Sequence, residues 1–318
     1  MNRYLALFNV AGLLLMLGCR KDDIVNCPTK VLPTPPPTSN LSLAEFTRRN
    51  SVPVQTFSLL LDRAQILTTS GGASISFPGR SFKVYYKDSL ALGNGQVRLR
   101  EIYSVADMLL TNMPTTLPHQ GDMLVSGGEF NIQVRSNGIR LRLLADSSVK
   151  VKAPMPTGQD TTRQYVWKQL ATKAPSDTVG WQLASPQRVQ SLPGLYRALV
   201  PLDSISWWNI DQIWHAYRVA SSVPVTVVTP LNPLTETRVF LRPVGFNGLL
   251  RMAPADATGT RWTRNIPTGA DMIVAVLQSA GGQLYYGTQR ITIGPGLVIT
   301  PTLTAVSEQE AVRLIRQL

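Results

Sequence analysis

The chain has 318 residues, 44% of them hydrophobic, and carries 31 Lys and Arg against 19 Asp and Glu for a net charge of +12. That length and hydrophobic share support two globular domains with their own cores and exclude a disordered chain. Two cysteines, Cys19 and Cys27, exclude a disulfide framework.

The order along the chain begins with Arg3 and an apolar run from Leu5 to Leu17, broken only by Asn9 and Gly12. The run has the length of a signal-peptide core and falls short of the roughly 20 apolar residues a spanning helix needs. Leu17-Gly18-Cys19 then stands in place of a small-x-small cleavage site, with Met16 where an aliphatic residue is usual. This resembles the lipobox of bacterial lipoproteins. The resemblance implies removal of residues 1–18, a diacylglycerol on the Cys19 sulfur and an acylated new amino terminus. Each buried CH₂ contributes about 0.8 kcal/mol, so two or three chains hold where one is marginal. Cys19-Arg20-Lys21-Asp22-Asp23 resembles the Cys-x-Lys-acid-acid export signal of Bacteroidota lipoproteins. Lys21, Asp22 and Asp23 would then direct the protein to the outer face of the outer membrane. The alternative to the lipobox is an ordinary signal peptide or a buried N-terminal helix with a chance cysteine. The alternative to the export signal is a charged run after a lipobox that serves merely as a soluble tether. Removing residues 1–18 takes away only Arg3 and leaves 300 residues with a charge of +11. Outside the cell, that charge faces phosphorylated lipopolysaccharide and acidic glycans through a long-ranged, salt-screened attraction. Nucleic acid fits the charge but not the location. A Cys19–Cys27 bridge requires that Cys19 escape lipidation.

Residues 19–40 read as a lipidated tether. Pro28, Pro33, Pro35, Pro36 and Pro37 favour extended polyproline II, and the stretch lacks the apolar residues for a core. Residues 41–155 read as a first β-sandwich-like domain. Ser42-Leu43-Ala44-Glu45 is a capping-box pattern for a short helix to about Asn50. Val54 to Leu67, Ala73 to Pro78, Gln96 to Arg100, Phe130 to Val134 and Ile139 to Leu143 are strand-like, with turn signals at Gly93-Asn94-Gly95 and Ser136-Asn137-Gly138. Ser104 can cap one helical turn through Leu110. Residues 156–194 read as an irregular spacer with one or two strands, in which Trp167 and Trp181 pack. Residues 195–318 read as a second β-rich domain, with alternation at Val223, Val225 and Val227 and a continuous apolar run from Met272 to Leu277. Ser307-Glu308-Gln309-Glu310 opens a short terminal helix. The fold class is therefore mainly all-β: two sandwich-like domains after a signal peptide and a Pro-rich tether.

Three segments resemble a group of Bacteroidota surface-exposed lipoproteins. They are Ile75 to Phe82, Gly95 to Gly128, and Ile205-Ser206-Trp207-Trp208-Asn209-Ile210-Asp211. The resemblance implies a β-rich extracellular architecture and brings no activity with it. The first block also resembles the β-sandwich interaction module shared by ankyrins and netrin receptors.

Catalytic signatures are lacking. His119 and His215 have no zinc-type spacing, and there is no Gly-x-Ser-x-Gly elbow or Walker loop. No enzyme activity, metal or cofactor is expected, although Asp107, Asp122 and Glu129 are the nearest acids for a carboxylate-based hydrolase. Two binding surfaces suggest themselves. Trp207, Trp208, Trp214 and Tyr217, interleaved with Asn209, Asp211 and His215, form either an exposed plate for sugar rings or a seal between the β blocks. Arg98, Arg100, Arg140 and Arg142 alternate with apolar residues, giving either a basic ladder for phosphate and carboxylate groups or a merely solvated face. Asp88-Ser89-Leu90, Asp160-Thr161-Thr162, Asp177-Thr178-Val179 and Asp203-Ser204-Ile205 resemble a Bacteroidota O-glycosylation acceptor motif. The expected function is a non-catalytic, lipid-anchored surface protein binding a glycan or an envelope partner. The alternative is a structural accessory subunit docked on an outer-membrane transporter or secretion machine. Cys19→Ser is expected to abolish incorporation of labelled palmitate and the digestion of the protein by protease added to whole cells. Acylation surviving in that variant would overturn the anchor.

Overall fold

Three serines start three helices. Ser42, Ser104 and Ser307 each accept a backbone N–H through Oγ, from Glu45, Asp107 and Glu310 respectively, at 3.1 Å. Each satisfies one of the donors that a helix start leaves open. The helices are α1 (Leu43–Asn50), α2 (Val105–Thr111) and α3 (Glu308–Ile315). The Glu45 carboxylate is taken by Arg48 and Arg49, and that of Glu310 by Arg313. The computed structural model describes residues 41–117, 122–155, 163–170, 180–203, 207–214, 221–230 and 236–318. The signal peptide, Cys19, Lys21, Asp22, Asp23, the Pro-rich tether, His119, His215 and Tyr217 lie outside these residues, as do the motifs at Asp160 and Asp177.

Strands dominate the rest. In chain order, β1 is Gln55–Leu60, β2 Gln65–Thr68, β3 Ser74–Phe77, β4 Phe82–Val84, β5 Asn94–Ile102, β6 Leu124–Ser136 and β7 Ile139–Leu143. Then come β8 (Val149–Pro154), β9 (Tyr165–Gln169), β10 (Trp181–Arg188), β11 (Gln190–Leu192), β12 (Leu195–Val200) and β13 (Trp207–Ile213). These thirteen make two facing sheets. One runs β1-β5-β6-β13-β9-β10, with β7 on the far end of β6 and β4 on β7; the other runs β11-β12-β8-β3-β2. Between them lies a core that includes Phe77, Phe130, Tyr196 and Trp208.

The second sandwich follows with β14 (Ser222–Val228), β15 (Glu236–Pro243), β16 (Leu250–Arg251), β17 (Ala253–Pro254) and β18 (Arg261–Pro267). It closes with β19 (Asp271–Ala280), β20 (Gln283–Thr292), β21 (Val298–Ile299) and β22 (Thr304–Val306). Its sheets run β17-β18-β14-β21 and β16-β15-β19-β20-β22. Val225, Val227, Val239, Val274 and Val276 pack between them. The all-β class and the short terminal helix are as the sequence indicates.

Two boundaries differ from the sequence reading. The stretch 156–194, read as a spacer with one or two strands, holds three paired strands, β9, β10 and β11, among its described residues. Leu195–Val200 and Trp207–Ile213, assigned to the second domain, belong to the first: β12 pairs β8, and β13 sits between β6 and β9. The reason is topological. These strands pair with partners far away in sequence, so the prolines and weak local pattern around them misplace the boundary.

The hairpins follow their turn chemistry. Asn137 (φ 49°) with Gly138 (φ 76°), and Gly281 (φ 56°) with Gly282 (φ 82°), supply the two left-handed residues a tight hairpin requires. Gly287 has a different reason. A Cβ there would lie 2.2 Å from the Thr302 carbonyl oxygen, so β20 tolerates no side chain beneath the segment leading to β22. Gly287→Ala is expected to cost about 1–3 kcal/mol in urea unfolding. A wild-type midpoint would contradict this packing.

Candidate functional site

In β8, Val149, Val151 and Ala153 are fully buried while Lys150 and Lys152 face out. Strand register gathers further groups on that outer face. Ser76, Lys150 and Leu199 form one cross-strand row, and Ser74, Lys152 and Arg197 the next. The face lines a cleft of about 880 Å³, joined by Arg188 and by Ser147, Ser148 and Ser185; Asp146 is its one lining acid. A second groove of about 590 Å³ shares Ala145, Ser147 and Pro201 with the first and adds Lys83, Tyr85 and Arg142. Beside it, the Tyr86 ring is 86% exposed and meets Tyr85 edge-on, with centroids 4.8 Å apart.

The expected arginine ladder assembles on the outer face of the other sheet. Arg98 and Arg100 on β5 are separated from Arg140 and Arg142 on β7 by β6, which contributes Arg135. Burial, then the charge of Arg98, push the Arg100 pKa down. Three like-charged pairs stand directly opposite one another across strands: Lys152 with Arg197, Arg135 with Arg140, and Lys83 with Arg142. Such pairs destabilise a sheet. Asp88 lies 3.3 Å from both Lys83 and Arg142; no other residue of this basic band has an acidic partner among the described residues. The two joined grooves therefore offer guanidinium and ammonium groups and hydroxyls with one exposed aromatic ring beside them, while Arg98, Arg100, Arg135 and Arg140 lie on the outer face of the other sheet.

The tryptophan plate does not form. Trp207, Trp208 and Trp214 are 9%, 1% and 5% exposed, and Asn209 and Asp211 are fully buried. Strand β13 is interior to its sheet, and both of its faces are covered. Trp208 enters the first core, Trp207 packs with Trp167 and Trp181 on the opposite face, and Trp214 meets Phe246 with centroids 5.9 Å apart. These aromatics are the seal rather than the plate. Of the acids weighed for catalysis, Asp107 accepts from the Ser104 hydroxyl at 2.8 Å, whereas Glu129 is fully buried.

Two features were missed in the sequence. Lys150 and Lys152 alternate with apolar residues just as Arg98 and Arg100 do, so the signal was there. The other is a buried polar cluster. Ser126 donates to Asn209 Oδ1 at 2.9 Å, Asn209 donates to Asp211, and the Trp167 indole donates to the Asp211 carbonyl at 2.9 Å. Glu129 is the cross-strand partner of Asn209. Burial and then the charge of Asp211 push the Glu129 carboxyl well up; burial pushes Asp211 up, opposed by the polar groups of Ser126, Gly127 and Asn209 near it.

No family model and no curated protein matches the chain. Among solved structures, it is similar to the crystal structure of a gamma-CGTase from the alkalophilic Bacillus clarkii, with 10% identity and a TM-score of 0.19. The match covers 77% of this chain and 40% of that one, and its likeness is too slight to carry an argument. Trp208→Ala is expected to destabilise the protein by about 3–5 kcal/mol in denaturant unfolding. Unchanged stability would contradict its place in the core.

Proposed function

We propose that the protein is a non-catalytic, lipid-anchored surface protein that binds an anionic glycan, phosphorylated or carboxylated, along the basic band of its first sandwich. The cross-strand pairing of Lys152 with Arg197 beside Lys150 and Arg188 carries the reading. Proteins seldom place like charges opposite each other without a counter-charge, and a phosphate or carboxylate bridging the pair supplies it. Hydroxyls from Ser74, Ser76 and Ser147 suit the remaining oxygens of a sugar, and the exposed Tyr86 ring offers a stacking face beside the second groove. The lipobox at Cys19 and the signal at Lys21, Asp22 and Asp23 support a station on the outer surface, where such polymers are found. The shared length of the two grooves favours a chain over a single small molecule.

Titration of the full-length protein in detergent against phosphorylated and uncharged envelope glycans tests this. The expected result is binding to the anionic polymer alone, weakening steeply with salt. The triple variant Lys150→Glu, Lys152→Glu, Arg197→Glu is expected to lose about tenfold or more in affinity, since hydrogen bonds to charged groups contribute about 1.5–3 kcal/mol each. Capture of one stoichiometric envelope protein instead, with no glycan bound, would favour the accessory-subunit reading.

A further inference from the structure

Glu129 lies on an interior strand, fully buried, and neither carboxylate oxygen has a hydrogen-bond partner among the described residues. A charge in that position is among the costliest groups a core can hold. Asp211 is equally buried and leaves Oδ1 open, while Oδ2 is held by the Asn209 amide. Asn209 stands opposite Glu129 and two residues before Asp211, so it joins the two acids on one face of the sheet. The register shifts between Asn209 and Asp211 beside Gly127-Gly128. Gly128 N–H donates to Ser126 Oγ at 3.0 Å, which keeps that hydroxyl in the cluster. Neither acid forms an ion pair with a Lys or Arg of the described residues, so two buried carboxylates share one locality without a cation.

The geometry points to a metal site between β6 and β13, in which Glu129 and Asp211 hold one calcium ion with help from the oxygens of Asn209 and Ser126. Two carboxylates match a divalent charge. Every side-chain donor is oxygen, the preference of a hard ion. Magnesium keeps several of its waters and demands near-ideal octahedral geometry; calcium accepts irregular oxygen sets that include main-chain carbonyls. The open oxygens here are sealed from solvent, which favours calcium. No three His, Cys, Asp or Glu side chains gather among the described residues, so Asn, Ser or carbonyl oxygens must complete the shell. The site would also brace the junction between sandwiches. Asn247 donates to the carbonyls of Ser126 at 2.8 Å and Tyr103 at 3.1 Å, and its own carbonyl accepts from Ser126 N–H at 2.7 Å. This inference does not depend on the glycan reading.

The test uses the full-length chain purified in detergent. After dialysis against metal-free buffer, elemental analysis is expected to return one calcium per chain. A chelator is expected to lower the melting temperature by about 5–10 °C, with recovery on adding calcium but not magnesium. Glu129→Gln keeps the shape, and is expected to hold no calcium and to melt independently of it. A native chain with no bound calcium and a melting temperature indifferent to chelator overturns the site. So does a Glu129→Gln variant that melts at or above the wild-type temperature in calcium, the behaviour of two acids that merely keep their protons. Should that variant not fold, the calcium content and chelator response of the native chain still decide the matter.

Discussion

The sheet β16-β15-β19-β20-β22 is apolar on both faces, and the architecture depends on covering both. Along β19, Met272, Val274 and Val276 point into the second sandwich, whereas Ala275 and Leu277 point the other way with Phe240, Leu284 and Tyr286. Water on that second face would forfeit about 25 cal/mol for each Å² of apolar surface. The cover comes from Leu43 and Phe46 of α1, Met108 and Leu109 of α2, Ala311 and Ile315 of α3, and from Ile102, Leu124 and Trp207 on the outer face of the first large sheet. The two sandwiches are therefore bonded through a third core and are not beads on a string. Residues near opposite ends of the described chain meet there: Arg49 lies 3.3 Å from Glu308, and the Asn50 amide donates to the same carboxylate at 2.8 Å.

That arrangement settles which surfaces are free. One end of the large sheet of the first sandwich is spent on the junction, where Trp167, Trp181 and Trp207 are buried together. The other end, and the outer face of the partner sheet, remain in solvent. Those free surfaces carry Arg98, Arg135, Arg140, Lys150, Lys152 and Arg197, away from the tryptophans of the junction. The junction tryptophans close the interior, and these six cations face out. The same burial that seals the tryptophans also encloses Glu129 and Asp211. Polar groups close to the junction are thus held under much higher dielectric cost than the arginines on the open face.

The sequence by itself determined a good deal. Serines at 42, 104 and 307 mark helix starts because a side-chain oxygen answers a local need of the backbone. Asn137-Gly138 and Gly281-Gly282 mark hairpins because left-handed backbone is a local property. Period-two patterns such as Val97-Arg98-Leu99-Arg100 predict half-buried strands because alternation is intrinsic to the strand. Only the tertiary structure decided which domain β12 and β13 joined, that the tryptophans were covered, and that Glu129 came to stand beside Asp211. Each of those facts depends on strand pairs between residues distant along the chain. No local pattern encodes such pairing, since it is fixed by which apolar faces find each other when the whole chain excludes water.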